Sequence, residues 1–170
     1  MPIHPFILDQ ADINPESIRN ILIVCSGNIC RSPMADGYLQ KRLDEIRNKN
    51  IRVMSVGTLG LFNQEASEHA QTVAKNHGFD LTLHRSFPAE SSIIMEADLI
   101  FVMEQQHIAF LQSIAPEKSN RFFLLGAMID NNQENEIDDP IKGSLEDYEI
   151  AFEKIRASID ALVSWLSKSA

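Results

Sequence analysis

The sequence predicts an α/β protein: a doubly wound, four-stranded parallel sheet flanked by helices on both faces. Three observations carry this expectation. Apolar runs rich in Ile, Val and Phe recur at residues 21–24, 51–56, 99–103 and 122–125, the pattern of strands buried on both sides. Segments with helical spacing alternate with them. The connections are too long for hairpins, which implies right-handed crossovers between parallel strands.

The elements can be taken in order. Residues 1–19, rich in Pro, Asn and Asp, read as an N-terminal extension of unknown role, in which Asn14 before Pro15 is placed to cap a short opening helix. The run 21–24 is the first strand, and helix spacing follows over 34–48. Strand 51–56 leads to a helix over 67–77, strand 99–103 to a helix over 105–114, and strand 122–125 to the polar stretch DNNQENEIDD, residues 130–139, which reads as a loop. The last helix, 144–168, places Tyr148, Phe152, Ile155, Ile159, Leu162, Val163 and Leu166 three or four residues apart, so this stripe should pack on the sheet. With 170 residues, 44% of them hydrophobic, the chain suffices for one core, and residues 20–170 read as a single domain without repeats.

Charge and composition exclude several functions. A formal net charge of −9 and the lack of a long Lys/Arg run argue against binding nucleic acid or a membrane surface. The first residues lack a basic start followed by an apolar stretch, and no run is long enough to span a bilayer, so a cytoplasmic protein is expected. The two cysteines, spaced C-x4-C, are too few for a disulfide framework and lack the further Cys/His ligands of a zinc site; neither a metal nor another cofactor is expected.

Both cysteines fall in VCSGNICRSP, residues 24–33, at the carboxyl end of the first strand, where open parallel sheets bind ligands. Gly27 and Asn28 tolerate the left-handed backbone that turns successive N–H groups inward into an anion-binding nest. Ser32 is placed to cap the next helix and Pro33 suits its first turn, adding the helix terminus to the nest. Arg31 offers two parallel donors to a tetrahedral oxyanion. A thiol among these groups loses its proton readily, so Cys25 is expected as a thiolate nucleophile at the floor of a phosphate cradle.

The string V-C-x-G-N-I-C-R-S-P closely resembles the C-x5-R-S signature of the low-molecular-weight protein tyrosine phosphatases. SVGT, residues 55–58, resembles the family's S-A-G-T; HGFDLTLHRS, residues 77–86, its second-helix ending; ADLIFVMEQQH, residues 97–107, its third strand and helix start; and DDP, residues 138–140, its acid loop. The resemblance runs from Asn20 to about Leu166. It implies that Cys25 attacks phosphorus in line to form a phosphocysteine, while Arg31 and the N–H groups of Ser26, Gly27, Asn28, Ile29, Cys30 and Arg31 hold the equatorial oxygens. Ser32 would donate to the thiolate; Asn28, Ser55 and His84 would hold the loop's strained conformation; Asp139 would protonate the leaving group and then activate water. Cys30 would be the redox partner of Cys25, forming a reversible disulfide. The resemblance further implies a tyrosine-phosphorylated protein as substrate and, were the source bacterial, an autophosphorylated tyrosine kinase governing exopolysaccharide or capsule production.

The pocket walls depart from the family's pattern. Ile141 and Lys142 follow Asp139-Pro140 where aromatics are usual, Ser26 holds a position more often apolar, and the wall after SVGT falls to either Leu61 or Phe62. Lys142 would favour acidic residues flanking the phosphotyrosine. Arsenate reductases share the loop but need further cysteines, which this chain lacks. Protein-arginine phosphatases typically carry threonine where Ile29 stands, and a non-catalytic phosphotyrosine-binding or redox-sensing module is the reading from another class. His4, His69, His77 and His107 read as surface or structural residues.

Overall fold

The apolar runs form strands because most of their side chains, on either face, are buried beneath helices. A computed structural model describes residues 7–129 and 135–168. Strands β1 (Asn20–Cys25), β2 (Arg52–Gly57), β3 (Leu99–Val102) and β4 (Phe122–Leu124) make one parallel sheet in the order β2-β1-β3-β4. Register is set along β1, where Ile21 lies between Val53 and Leu99, and Val24 between Val56 and Val102. Alternate β1 residues enter two separate cores. Ile21 and Ile23 join one cluster with Met34 and Leu39 of α2 (Arg31–Glu45), Val73 of α3 (Glu68–Asn76) and Phe152 and Ile155 of α6 (Leu145–Leu166). Leu22 and Val24 join the other with Ile94 of α4 (Ser91–Glu96) and Leu111 of α5 (Gln105–Ile114).

The sequence-derived elements agree closely with this architecture, and the expected stripe of α6 is buried throughout. Ser144 caps α6: its Oγ accepts the Asp147 N–H, while the Asp147 carboxylate accepts the Ser144 N–H at 2.8 Å. Asn14 does cap a short helix, the 3-10 turn Pro15–Ser17, accepting the Glu16 N–H at 3.0 Å. Two short helices, α1 (Ile7–Gln10) and α4, were not expected; at four and six residues they lack the length over which helical spacing can be read.

Residues 7–19 pack onto the first core. Leu8, Ile13 and Ile18 are buried, and the Trp165 Nε1–H on α6 donates to Asp9 at 2.9 Å. Residues 1–6, which include His4, and residues 130–134 of the acidic loop lie outside the described residues.

Candidate active site

The loop leaving β1 turns sharply enough to bring a strand end and a helix start around one sulfur. Asn28 makes the turn with φ of 57°, in the left-handed region. It is fully buried, and every polar group of its side chain is used: Oδ1 accepts the Phe87 N–H at 2.9 Å, and Nδ2 donates to Ser32 Oγ at 2.8 Å. His84 Nε2–H donates to the Asn28 carbonyl at 2.7 Å. The loop also rests on Gly57 at the end of β2, where a Cβ would stand only 2.7 Å from the Ser26 carbonyl oxygen. No side chain fits at that approach. Asn28 and His84 thus bond directly within the loop, whereas Ser55 faces the half-buried Asp36 carboxyl.

Cys25 Sγ stands at the centre of this turn. The Asn28 N–H donates to it at 3.2 Å, and Ser32 Oγ lies 3.0 Å away. Because Ser32 Oγ already accepts from Asn28 Nδ2, its own proton is free for the sulfur, so the Asn28 N–H and the Ser32 hydroxyl both point at Sγ. The expected helix cap at Ser32 does not form. Helix α2 begins two residues earlier than such a cap requires, with Cys30 in the cap position, so Ser32 sits inside the first turn and its hydroxyl faces Cys25. Among the described residues, the amides of Gly27, Ile29 and Cys30 donate to no other group of the chain.

Arg31 is buried at 1% exposure, which requires its charge to be met. Its Nη1 donates to the Glu104 carboxylate and, at 2.7 Å, to the Ile137 carbonyl; its Nη2 lies 3.3 Å from Asp139. Its Nε, also buried, has no hydrogen-bond partner among the described residues. Burial pushes the Glu104 carboxyl up, but the Arg31 guanidinium overrides this and holds it below the ordinary range. Asp139 accepts the Ile141 N–H at 3.1 Å with its second oxygen, which turns the carboxylate over the loop.

These groups line one cleft of about 200 Å³, with Cys25, Arg31 and Asp139 joined by Ile29, Leu59, Leu61 and Ile141. The wall after SVGT is thus Leu61 together with Leu59. Phe62 lies outside, its ring stacked edge-on against Phe87 at 5.6 Å. Lys142 faces a neighbouring cleft with Asp138, Asp147 and Lys154. Cys30 turns into the core, its Sγ 3.1 Å from Tyr148 Oη and 3.5 Å from Ser67 Oγ. Burial pushes the Cys30 thiol up and, with the bond to Cys30, takes the Tyr148 phenol to about 12.

Residue reading missed Glu104 and underrated His107. His107 is almost fully buried beside the loop, with Nε2 2.9 Å from Ser26 Oγ and Nδ1 accepting the Glu104 N–H at 3.1 Å. Their signal was positional: both follow β3 at the carboxyl edge of the sheet, where the loop after β1 also lies. His69 packs its ring against Tyr148, and His77 pairs with Glu149 at 2.8 Å, both structural as expected.

The comparisons agree with this geometry. Residues 20–170 match the family model for low molecular weight phosphotyrosine protein phosphatase. The probable low molecular weight protein-tyrosine-phosphatase EpsP of Ralstonia nicotianae is 37% identical over 86% of this chain and 94% of its own. The low molecular weight protein-tyrosine-phosphatase Etp of Escherichia coli is 37% identical over 77% of this chain and 83% of its own. The crystal structure of the Erwinia amylovora tyrosine phosphatase AmsI superposes with a TM-score of 0.81 at 31% identity, covering 89% of this chain and 95% of that one. An arginine phosphatase, YwlE of Geobacillus stearothermophilus, superposes with a TM-score of 0.80 at 30% identity, covering 89% and 94%. With the signature cysteine and arginine converging on one cleft and the family match spanning residues 20–170, the chain belongs to the low molecular weight protein tyrosine phosphatases, a family of cysteine-based phosphatases.

Proposed function

We propose that the protein hydrolyses protein phosphotyrosine through a phosphocysteine intermediate, with Cys25 as nucleophile and Asp139 as general acid and then general base. The observation that supports this best is the convergence on one cleft of Cys25 Sγ, held by Asn28 N–H and Ser32, the buried Arg31 with an unpaired Nε, and Asp139. Attack of the thiolate on phosphorus forms the S–P bond as the P–O bond to the phenol breaks, and Asp139 delivers the proton that the leaving oxygen takes. Arg31 and the loop amides meet the charge on the equatorial oxygens. The same carboxylate then accepts a proton from water, which attacks phosphorus and releases Cys25 as thiolate. Ser32, poised 3.0 Å from the sulfur, stabilises it on departure.

The walls select the ester. Ile29, Leu59, Leu61 and Ile141 give apolar surface to an aromatic ring, with no aromatic partner to stack on it among the described residues. A guanidinium would gain less from the same walls, which ranks phosphoarginine below phosphotyrosine although an arginine phosphatase shares the fold. The substrate is then a tyrosine-phosphorylated protein, an autophosphorylated tyrosine kinase being the candidate partner. Hydrolysis of phosphotyrosine, phosphoserine and phosphoarginine peptides, compared side by side in chelator, should favour phosphotyrosine by about tenfold or more in kcat/KM. Preference for phosphoarginine, or binding without turnover, would reject this reading.

Cys30 serves as the redox partner of Cys25 in the same proposal. Peroxide would oxidise the Cys25 thiolate to a sulfenic acid, and the Cys30 thiol would displace water from it to form the disulfide. Disulfide formation requires Cys30 to leave Tyr148 and Ser67, so it should be slow relative to oxidation of Cys25. Peroxide inactivation should be reversed by dithiothreitol in the wild type and become irreversible in Cys30→Ala; equal recovery of both would count against the pairing.

A further inference from the structure

The wall beside Cys25 carries one polar side chain whose orientation is controlled from outside the loop. Ser26 lines the cleft among Leu59, Leu61 and Ile29, and its Oγ lies 2.9 Å from Nε2 of His107. His107 is 1% exposed, and its Nδ1 accepts the Glu104 N–H at 3.1 Å. Burial first, and the Arg31 charge second, press the imidazole down to about 4 against the opposing pull of Glu104 and Asp139, so the ring is neutral at ordinary pH. A neutral ring that accepts at Nδ1 carries its proton on Nε2. His107 is therefore the donor and Ser26 Oγ the acceptor. The Ser26 proton is then free to point elsewhere, and Ser26 is one of the residues that form the cleft.

We propose that the Ser26 hydroxyl donates a hydrogen bond to a phosphoryl oxygen of the bound substrate, and that His107 is the positioning residue that aims it. This rests on the phosphatase reading and deepens it. The donor set then has a side-chain member beside the loop amides, supplied where the family more often has an apolar residue. Glu104 connects the two ends of the cradle: its carboxylate holds Arg31, and its backbone N–H sets the tautomer of the ring that holds Ser26. The first turn of α5 thereby fixes the orientation of both.

Ser26→Ala, Ser26→Thr, His107→Phe, His107→Gln and the double variant Ser26→Ala/His107→Phe test this. The readouts are kcat and KM for a phosphotyrosine peptide, binding of inorganic phosphate by calorimetry, and thermal unfolding. Ser26→Ala should weaken phosphate binding and lower kcat/KM by about tenfold, the scale of one hydrogen bond to a charged group, and should lower the melting temperature by a few degrees because the buried His107 Nε2–H loses its acceptor. Ser26→Thr, which keeps the hydroxyl, should stay within about twofold. His107→Phe should reproduce the Ser26→Ala loss and His107→Gln, which restores an N–H donor, should recover most of it. The double variant should be no worse than either single variant, because both changes remove one and the same contact. Unchanged phosphate affinity in Ser26→Ala, or losses that multiply in the double variant, would overturn the proposal. Should His107→Phe fail to fold, the Ser26→Ala and Ser26→Thr pair decides alone. Phosphate binding reads Ser26 even if no phosphotyrosine hydrolysis is found, so failure of this inference is distinguishable from failure of the phosphatase reading.

Discussion

Replacing Cys25 with serine should remove steady turnover of aryl phosphates, by roughly 10⁴-fold or more, while leaving the oxyanion site able to bind inorganic phosphate. The two effects separate because they come from different groups. In the proposed mechanism the loop amides, the first turn of α2 and the buried Arg31 hold the anion, and all remain in the variant. The nucleophile is another matter. Serine keeps the shape and the neighbours of Cys25, including the Asn28 N–H and Ser32, but a hydroxyl with no general base beside it stays protonated near neutral pH. Calorimetric titration with phosphate, run beside a chromogenic assay, reads both halves. Retained turnover in Cys25→Ser would mean that another group attacks phosphorus.

Asp139→Asn should lower kcat for phosphotyrosine by about 10²–10³-fold with little change in KM, since a general acid contributes in the transition state rather than to binding. Asparagine can still accept the Ile141 N–H that orients the native carboxylate, so the loop should keep its shape. What it cannot do is give up a proton. The deficit in kcat/KM, which reads formation of the phosphoenzyme alone, should therefore shrink with the basicity of the leaving group, being largest for an alkyl-substituted phenol such as tyrosine and smallest for a nitrophenol, whose oxyanion departs without help. A uniform loss of kcat/KM across a leaving-group series would show that Asp139 serves Arg31 as a counter-charge, 3.3 Å from Nη2, and not as the acid.

How much of this was legible without coordinates depends on whether a residue's role is local. The parallel sheet was readable because strands buried on both faces need continuous apolar runs, which β1 and β3 show, while the edge strand β2 is interrupted by Arg52 and Ser55 and buried only in its second half. The cradle was readable because Cys25, Asn28, Arg31 and Ser32 lie within eight residues, so their spacing alone places them around one turn. Glu104 and His107 were not, because they meet the loop only through the pairing of β1 with β3. The same is true of Tyr148, whose place in the stripe of α6 was apparent while its hydroxyl, bonded to Cys30 across 118 positions, was not. The cap at Ser32 misled for the opposite reason. Its residue type fits a helix cap, but the Cys25 sulfur and an asparagine amide offer its hydroxyl better partners than the backbone does.

The central claim is covalent catalysis at Cys25, and trapping of the intermediate tests it most directly. The Asp139→Asn variant, mixed with a nitrophenyl phosphate and quenched in acid within its first turnovers, should carry one phosphoryl group, because formation of the intermediate needs little acid assistance while its hydrolysis lacks the base. Proteolysis and mass analysis should locate that group on the peptide containing Cys25, on sulfur. Product released with no phosphorylated enzyme, or a phosphoryl group on any other residue, would contradict it.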